Sequence, residues 1–99
     1  MIKHIVLFQL KPFESKETKD AKLAEIKSGL LGLKEKVSVL KSIEVGLNTN
    51  QAEQFDIALT TTFDSMEDLE TYAKHPDHVA VGKIVREVLE ARSCVDYEF

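Results

Sequence analysis

Ile2-Lys3-His4-Ile5-Val6-Leu7-Phe8-Gln9-Leu10 opens the chain as a run of β-branched, aromatic and aliphatic residues, the composition of an extended strand. Successive side chains of a strand point to opposite sides. Ile2, His4, Val6, Phe8 and Leu10 therefore share one face, and Ile5 and Leu7 dominate the other. Both faces are apolar, so both must be covered. Lys11-Pro12 ends the strand, because proline brings no N–H to a ladder.

Downstream, Ser15 to Leu33 changes to a helical period. Leu23, Ile26, Leu30 and Leu33 recur at spacings of three and four, widened by Ala24 and Leu31, with lysines and acids on the wet side. Ser15 suits the N-cap. Gly29 marks close packing, since glycine inside a helix costs about 1 kcal/mol relative to alanine, and Gly32 begins the exit. Val39 to Leu47 and Phe55 to Phe63 read as strands joined through Asn48-Thr49-Asn50-Gln51. Ser65 opens a second helix carrying Leu69, Tyr72 and Ala73 on one face. Pro76 interrupts it by removing a donor and pushing His75 out of the α region. A new helix runs from Pro76 to about Ala91 with Val81, Ile84, Val85, Val88 and Leu89 inside. Arg92 to Phe99 is the last strand, Val95, Tyr97 and Phe99 alternating against Asp96 and Glu98.

The order β-α-β-β-α-β predicts an α+β, ferredoxin-like domain over residues 1–99, a four-stranded antiparallel sheet with helices on one face. The helices leave the Ile5 and Leu7 face bare. A second copy covers it most economically, which predicts a two-fold homodimer packed sheet on sheet, a dimeric α+β barrel.

Composition narrows the partners. The 99 residues are 43% hydrophobic and 30% charged, with a net charge of −4, as in ordinary soluble domains. No basic cluster points to nucleic acid. No run reaches the roughly 18 apolar residues of a membrane span. Ile2 to Leu10 is too short, and interrupted by Lys3 and His4, for a signal peptide. One cysteine, Cys94, forms no internal disulfide. The expectation is a cytoplasmic protein with no cofactor, with Cys94 as buried filler.

Chemistry concentrates in Tyr72-Ala73-Lys74-His75-Pro76-Asp77-His78-Val79, which holds two of the three histidines. The third, His4, shares its strand face with Val6 and Phe8. Two readings stand for His4: a core histidine bonded to a carbonyl or carboxylate, or a desolvated, neutral base at a cavity rim. His78, one turn into the last helix, faces the same choice. His75, just before Pro76, reads first as a helix cap. Three histidines can hold zinc, but His75 and His78 straddle a proline, and no metal site is expected. Glu44, Asp56, Asp96 and Glu98 lie opposite apolar residues on their strands and are expected in solvent or at the dimer seam. One of them can bond an imidazole; the sequence does not say which.

His4-Ile5-Val6-Leu7-Phe8, Phe63-Asp64-Ser65-Met66-Glu67-Asp68-Leu69, Tyr72 through His78, and Val95-Asp96-Tyr97 resemble the stress-responsive dimeric A/B-barrel (Dabb) family across nearly the whole chain. The resemblance implies the same fold and a dimer. Plant polyketide cyclases are similar to this domain and use histidines in aldol-type ring closure. Their residues fall onto His4 and His78, with Tyr72 as pocket wall or hydrogen-bonding group. The resulting expectation is a cavity between sheet and helices, formed by Val6, Phe8, Leu59 and His75 around His4, Tyr72 and His78. It would bind a small hydrophobic or aromatic carbonyl compound. A histidine acid/base enzyme, cyclase-like or monooxygenase-like, and a purely structural dimer are the alternatives.

Overall fold

The doubly apolar N-terminal strand takes an inner place in the sheet, where its two faces are both useful. The computed structural model describes residues 1–99 as β1 (Ile2–Leu10), α1 (Lys16–Lys36), β2 (Ser42–Leu47), β3 (Ile57–Phe63), α2 (Met66–Lys74), α3 (Pro76–Val88) and β4 (Leu89–Glu98). Strand order is β2-β3-β1-β4, and every neighbouring pair is antiparallel. This is the ferredoxin-like arrangement, its second helix split in two at Pro76.

Ser15 and Ser65 cap α1 and α2 as their sequences predict, each Oγ accepting from the backbone N–H three residues on at 3.1 Å. Ile26, Leu30 and Leu33 of α1 are buried with Val6, Leu59, Phe63 and Tyr72 in one core. A Cβ placed on Gly29 would meet the Val81 methyls of α3 at 3.5 Å, an ordinary contact, so the helices do not approach so closely there that only glycine fits.

Several boundaries differ from expectation for physical reasons. Gly32 does not begin an exit: α1 continues to Lys36, and burying Leu33 and Val37 outweighs one glycine's cost. β2 starts only at Ser42, because Val37 and Leu40 are used as buried plugs in the connection. β3 starts at Ile57. Asp56, expected in solvent or at a seam, accepts from the Leu10 N–H at 2.7 Å and pairs with Lys19 at 2.8 Å, tying sheet to α1. α3 stops at Val88, and Leu89 already pairs with Leu10. The long first strand recruits the residues expected to finish the helix.

Register decides the faces. Ile5 lies opposite Val95 and Thr60, and Leu7 opposite Ser93 and Ala58. Val95 and Tyr97 thus join the bare outer face, 53% and 42% exposed. Asp96 stands opposite His4 on the helix side, not at an outer seam.

Candidate functional site

One wall of the site is built by sheet register alone. β1 places His4 directly across from Asp96, and Cys94 lies one step along the same face, opposite Val6. The His4 Nδ1–H donates to Asp96 Oδ1, and in that tautomer Nε2 is the basic nitrogen. His4 keeps only 12% of its side chain exposed. Cys94 is an exposed free thiol, a correction to its expected role as buried filler. Its Sγ lies 3.5 Å from His4 Nδ1 and 3.7 Å from Asp96 Oδ1. Partial burial pushes the thiol pKa up and the Asp96 charge adds to this, with Arg92 opposing.

The facing wall is a product of the helix break. The last carbonyls of a helix have no partner within it, and Pro76 forces α2 to end at Lys74. His78, in the first turn of α3, donates its Nδ1–H to one of these orphans, the Ala73 carbonyl, at 3.0 Å. Its Nε2 is again the basic nitrogen. Burial lowers the His78 pKa, partly offset by the Ala73 bond, so the ring is neutral at pH 7. Tyr72 is fully buried, its ring centroid 5.0 Å from Phe63 and 4.4 Å from His78. Burial pushes its phenol up to about 12, and its hydroxyl has no hydrogen-bond partner in the chain.

Two cavities meet between these walls. The outer one, about 540 Å³, touches Tyr72, Ala73, Met66, Glu70, Cys94 and Asp96. The inner one, about 340 Å³, is lined by Val6, Phe8, Leu30, Leu59 and Val85. His4, His78 and Arg92 line both. Val6, Phe8 and Leu59 thus line the inner cavity, Tyr72 the outer one, and His4 and His78 both. His75 lines neither. Its Nδ1 accepts from the Asp77 N–H at 3.1 Å, and it caps α3 away from both cavities. This is the helix cap that its place before Pro76 suggests.

Sequence reasoning missed Arg92 and Cys94 and left the choice of carboxylate open. The spacing Arg92-x-Cys94-x-Asp96 put the three on one face of a strand, but only pairing with β1 shows which face. Arg92 takes part in none of the chain's ion pairs, and its guanidinium lies beside the Cys94 thiol at the wall of both cavities. As for metals, His4 Nδ1, Cys94 Sγ and an Asp96 oxygen all lie within 4.8 Å of one another.

A family model, the stress responsive A/B barrel domain, matches residues 2–99. The chain belongs to this family. The Dabb domain described here is 31% identical over 103 residues to the stress-response A/B barrel domain-containing protein DABB1 of Arabidopsis thaliana. That match covers 98% of this chain but 46% of the plant protein, so the chain spans less than half of its relative. Among solved structures, the Dabb domain is similar to a dimeric ferredoxin-like protein of unknown function from Bacteroides fragilis. They share 48% identity and a TM-score of 0.93 over 99% of this chain and 95% of that one. Hydroxynitrile lyase from Passiflora edulis aligns with a TM-score of 0.80 at 20% identity, over 97% of this chain and 90% of that one. At that identity the likeness is one of fold. No helix of the Dabb domain is long and apolar enough to cross a membrane.

Proposed function

We propose that this Dabb domain binds a small carbonyl compound with an apolar or aromatic body and moves a proton on it by acid–base chemistry. One observation carries the reading. Two imidazoles, each with Nδ1 already committed, line the junction between an apolar chamber and a polar mouth. An apolar body would fill the chamber beside Phe8 and Leu59 and leave its carbonyl at the junction.

Neutral His78 then accepts, at Nε2, a proton from the carbon next to the carbonyl. The C–H electron pair moves into the enolate, and the Arg92 guanidinium offsets the charge developing on its oxygen. The His78 imidazolium so formed exchanges that proton with solvent at the polar mouth and returns one to the enolate to complete the transfer, while His4 Nε2, oriented by Asp96, stands as the second base at the junction. Tyr72 sets the chamber wall through its ring contacts with Phe63 and His78. A general base of this kind contributes about 10²–10⁴-fold in rate.

The test is proton–deuterium exchange in D₂O, followed by NMR on a panel of aryl ketones and β-diketones that bind. The wild type is expected to accelerate exchange at the α-carbon, and His78→Asn to keep binding while losing at least a hundredfold of that acceleration. Binding with no accelerated exchange makes the domain a passive binder. Binding of no compound leaves only a dimeric scaffold.

The bare sheet face supports a homodimer through Ile5, Leu7, Val95 and Tyr97, as the Bacteroides fragilis relative is itself dimeric. Leu7→Asp is expected to give monomers in light scattering. The free Cys94 thiol fits a reducing compartment such as the cytoplasm.

A further inference from the structure

We propose that His4, Cys94 and Asp96 form a site for a divalent transition metal, with zinc as the native ion and the fourth position open to the outer cavity. This goes beyond the proton-transfer reading and does not rest on it. That reading uses the metal-free state, with His4 Nδ1–H on Asp96 and His78 as base; the ion replaces the Nδ1 proton, leaves the ring's remaining proton on Nε2 and does not involve His78.

The donors argue first. An imidazole nitrogen, a thiol sulfur and a carboxylate oxygen are the ligand types of zinc, and a soft sulfur disfavours magnesium and calcium. Three protein ligands with one open position is the arrangement of catalytic rather than structural zinc sites. Cys94 as thiolate and Asp96 as carboxylate supply two negative charges against the two of the ion. The bound site is neutral overall and so does not repel Arg92.

The geometry argues next. With zinc–sulfur bonds of about 2.3 Å and zinc–nitrogen or zinc–oxygen bonds of about 2.0–2.2 Å, a tetrahedral ion holds sulfur about 3.5 Å from its lighter ligands. Cys94 Sγ lies 3.5 Å from His4 Nδ1 and 3.7 Å from Asp96 Oδ1. Two edges of the tetrahedron are thus already in place. The third edge, from Nδ1 to Oδ1, is drawn in by their hydrogen bond. An ion replacing the proton between them needs only side-chain rotation to open it. The backbone holding all three is rigid, since β1 and β4 pair continuously from Ile2↔Glu98 to Gln9↔Ala91. The open position faces the cavity that all three ligands line.

The experiment is cobalt and zinc titration of the full chain, freed of metal with a chelator and kept reduced. Cobalt is expected to bind one ion per chain, with thiolate-to-cobalt charge transfer in the near ultraviolet and the intense visible bands of a four-coordinate ion. Cys94→Ser should abolish the charge-transfer band, and Asp96→Asn should raise the zinc Kd at least tenfold by calorimetry. His75→Asn, which keeps a capping side chain outside the site, should change neither. Amide NMR spectra establish that each variant is folded. Absence of a charge-transfer band in the wild type overturns the proposal, as does its persistence in Cys94→Ser. Loss of binding in His78→Asn overturns this ligand set in favour of another. None of these readouts involves the carbonyl ligand, so failure here leaves the proton-transfer reading standing and the converse also holds.

Discussion

β3 and β4 flank the same strand, both antiparallel to it, and both turn alternate residues toward the helices. Their fates differ. On β3 those residues are Ile57, Leu59, Thr61 and Phe63, all 2% exposed or less. On β4 they are Arg92, Cys94 and Asp96, all exposed. The cause is helix cover: α1 packs on β2 and α2 on β1 and β3, while β4 is the edge strand beyond them. One side of the central strand holds the fold and the other is left for chemistry. His4 of β1 sits on the line between them.

The largest effect breaks the comparison if it is absent. Phe63→Ala removes a fully buried ring that Tyr72 packs against and is expected to cost about 3–5 kcal/mol. Cys94→Ala, on the matching face of β4, should stay within about 0.5 kcal/mol. Urea unfolding of the two variants measures both. A Cys94→Ala cost approaching that of Phe63→Ala means the β4 side is core after all.

That contrast also separates what the sequence made legible from what it did not. Alternation in β1 and β3, the helical period of α1 and the break at Pro76 are local signals, and each led to an element close to the observed one. The inner cavity was legible for the same reason: Val6, Phe8 and Leu59 declare their side by alternation. β4 was not. Val95, Tyr97 and Phe99 look like an inner face by hydrophobicity, and Asp96 looks outward. Pairing of Ile5 with Val95 and of His4 with Asp96 reverses that, and register between strands some ninety residues apart carries no local signal. The identity of the carboxylate and the presence of Cys94 and Arg92 in the site were lost with it.

Tyr72 sits on the buried side but bears a polar atom that finds no partner there. Leaving a buried hydroxyl unpaired costs about 1–3 kcal/mol, so Tyr72→Phe should raise stability by about 1 kcal/mol. The pH dependence carries the same signature. The phenol's folded value, about 12, lies above its ordinary 10.0. Its contribution is therefore full below pH 10 and lost as pH rises toward 12. Tyr72→Phe should flatten the alkaline limb of a stability–pH curve. An unchanged limb would assign it to other groups.

On the site side, His78 gives a smaller effect of the opposite sense. Its pKa is lowered on folding by burial from an ordinary 6.5. The folded protein thus disfavours the charged ring, and the unfolded chain binds the proton first as pH falls. Stability from this group is full above pH 6.5 and is lost as pH drops through the folded value. Melting temperatures of wild type and His78→Asn between about pH 5 and 8 should diverge on the acid side alone. Divergence above pH 6.5 would mean that the histidine is charged in the native state.

The smallest effect sharpens the comparison by asking whether the two sides are mechanically independent. Gly32 has nothing within 4 Å of where a Cβ would stand, whereas at Gly29 a Cβ would lie 3.5 Å from both Val81 methyls. Gly32→Ala should then gain stability by propensity alone, up to about 0.8–1 kcal/mol. Gly29→Ala should gain a similar amount, because 3.5 Å is ordinary contact and needs no displacement of α3. Since α3 carries both Val81 and His78, the His78 ring resonances report any shift of that helix. They should be identical in the two variants. A shift in Gly29→Ala but not in Gly32→Ala would show that spacing between α1 and α3 sets the cavity, and that the half built for stability positions the half left for chemistry.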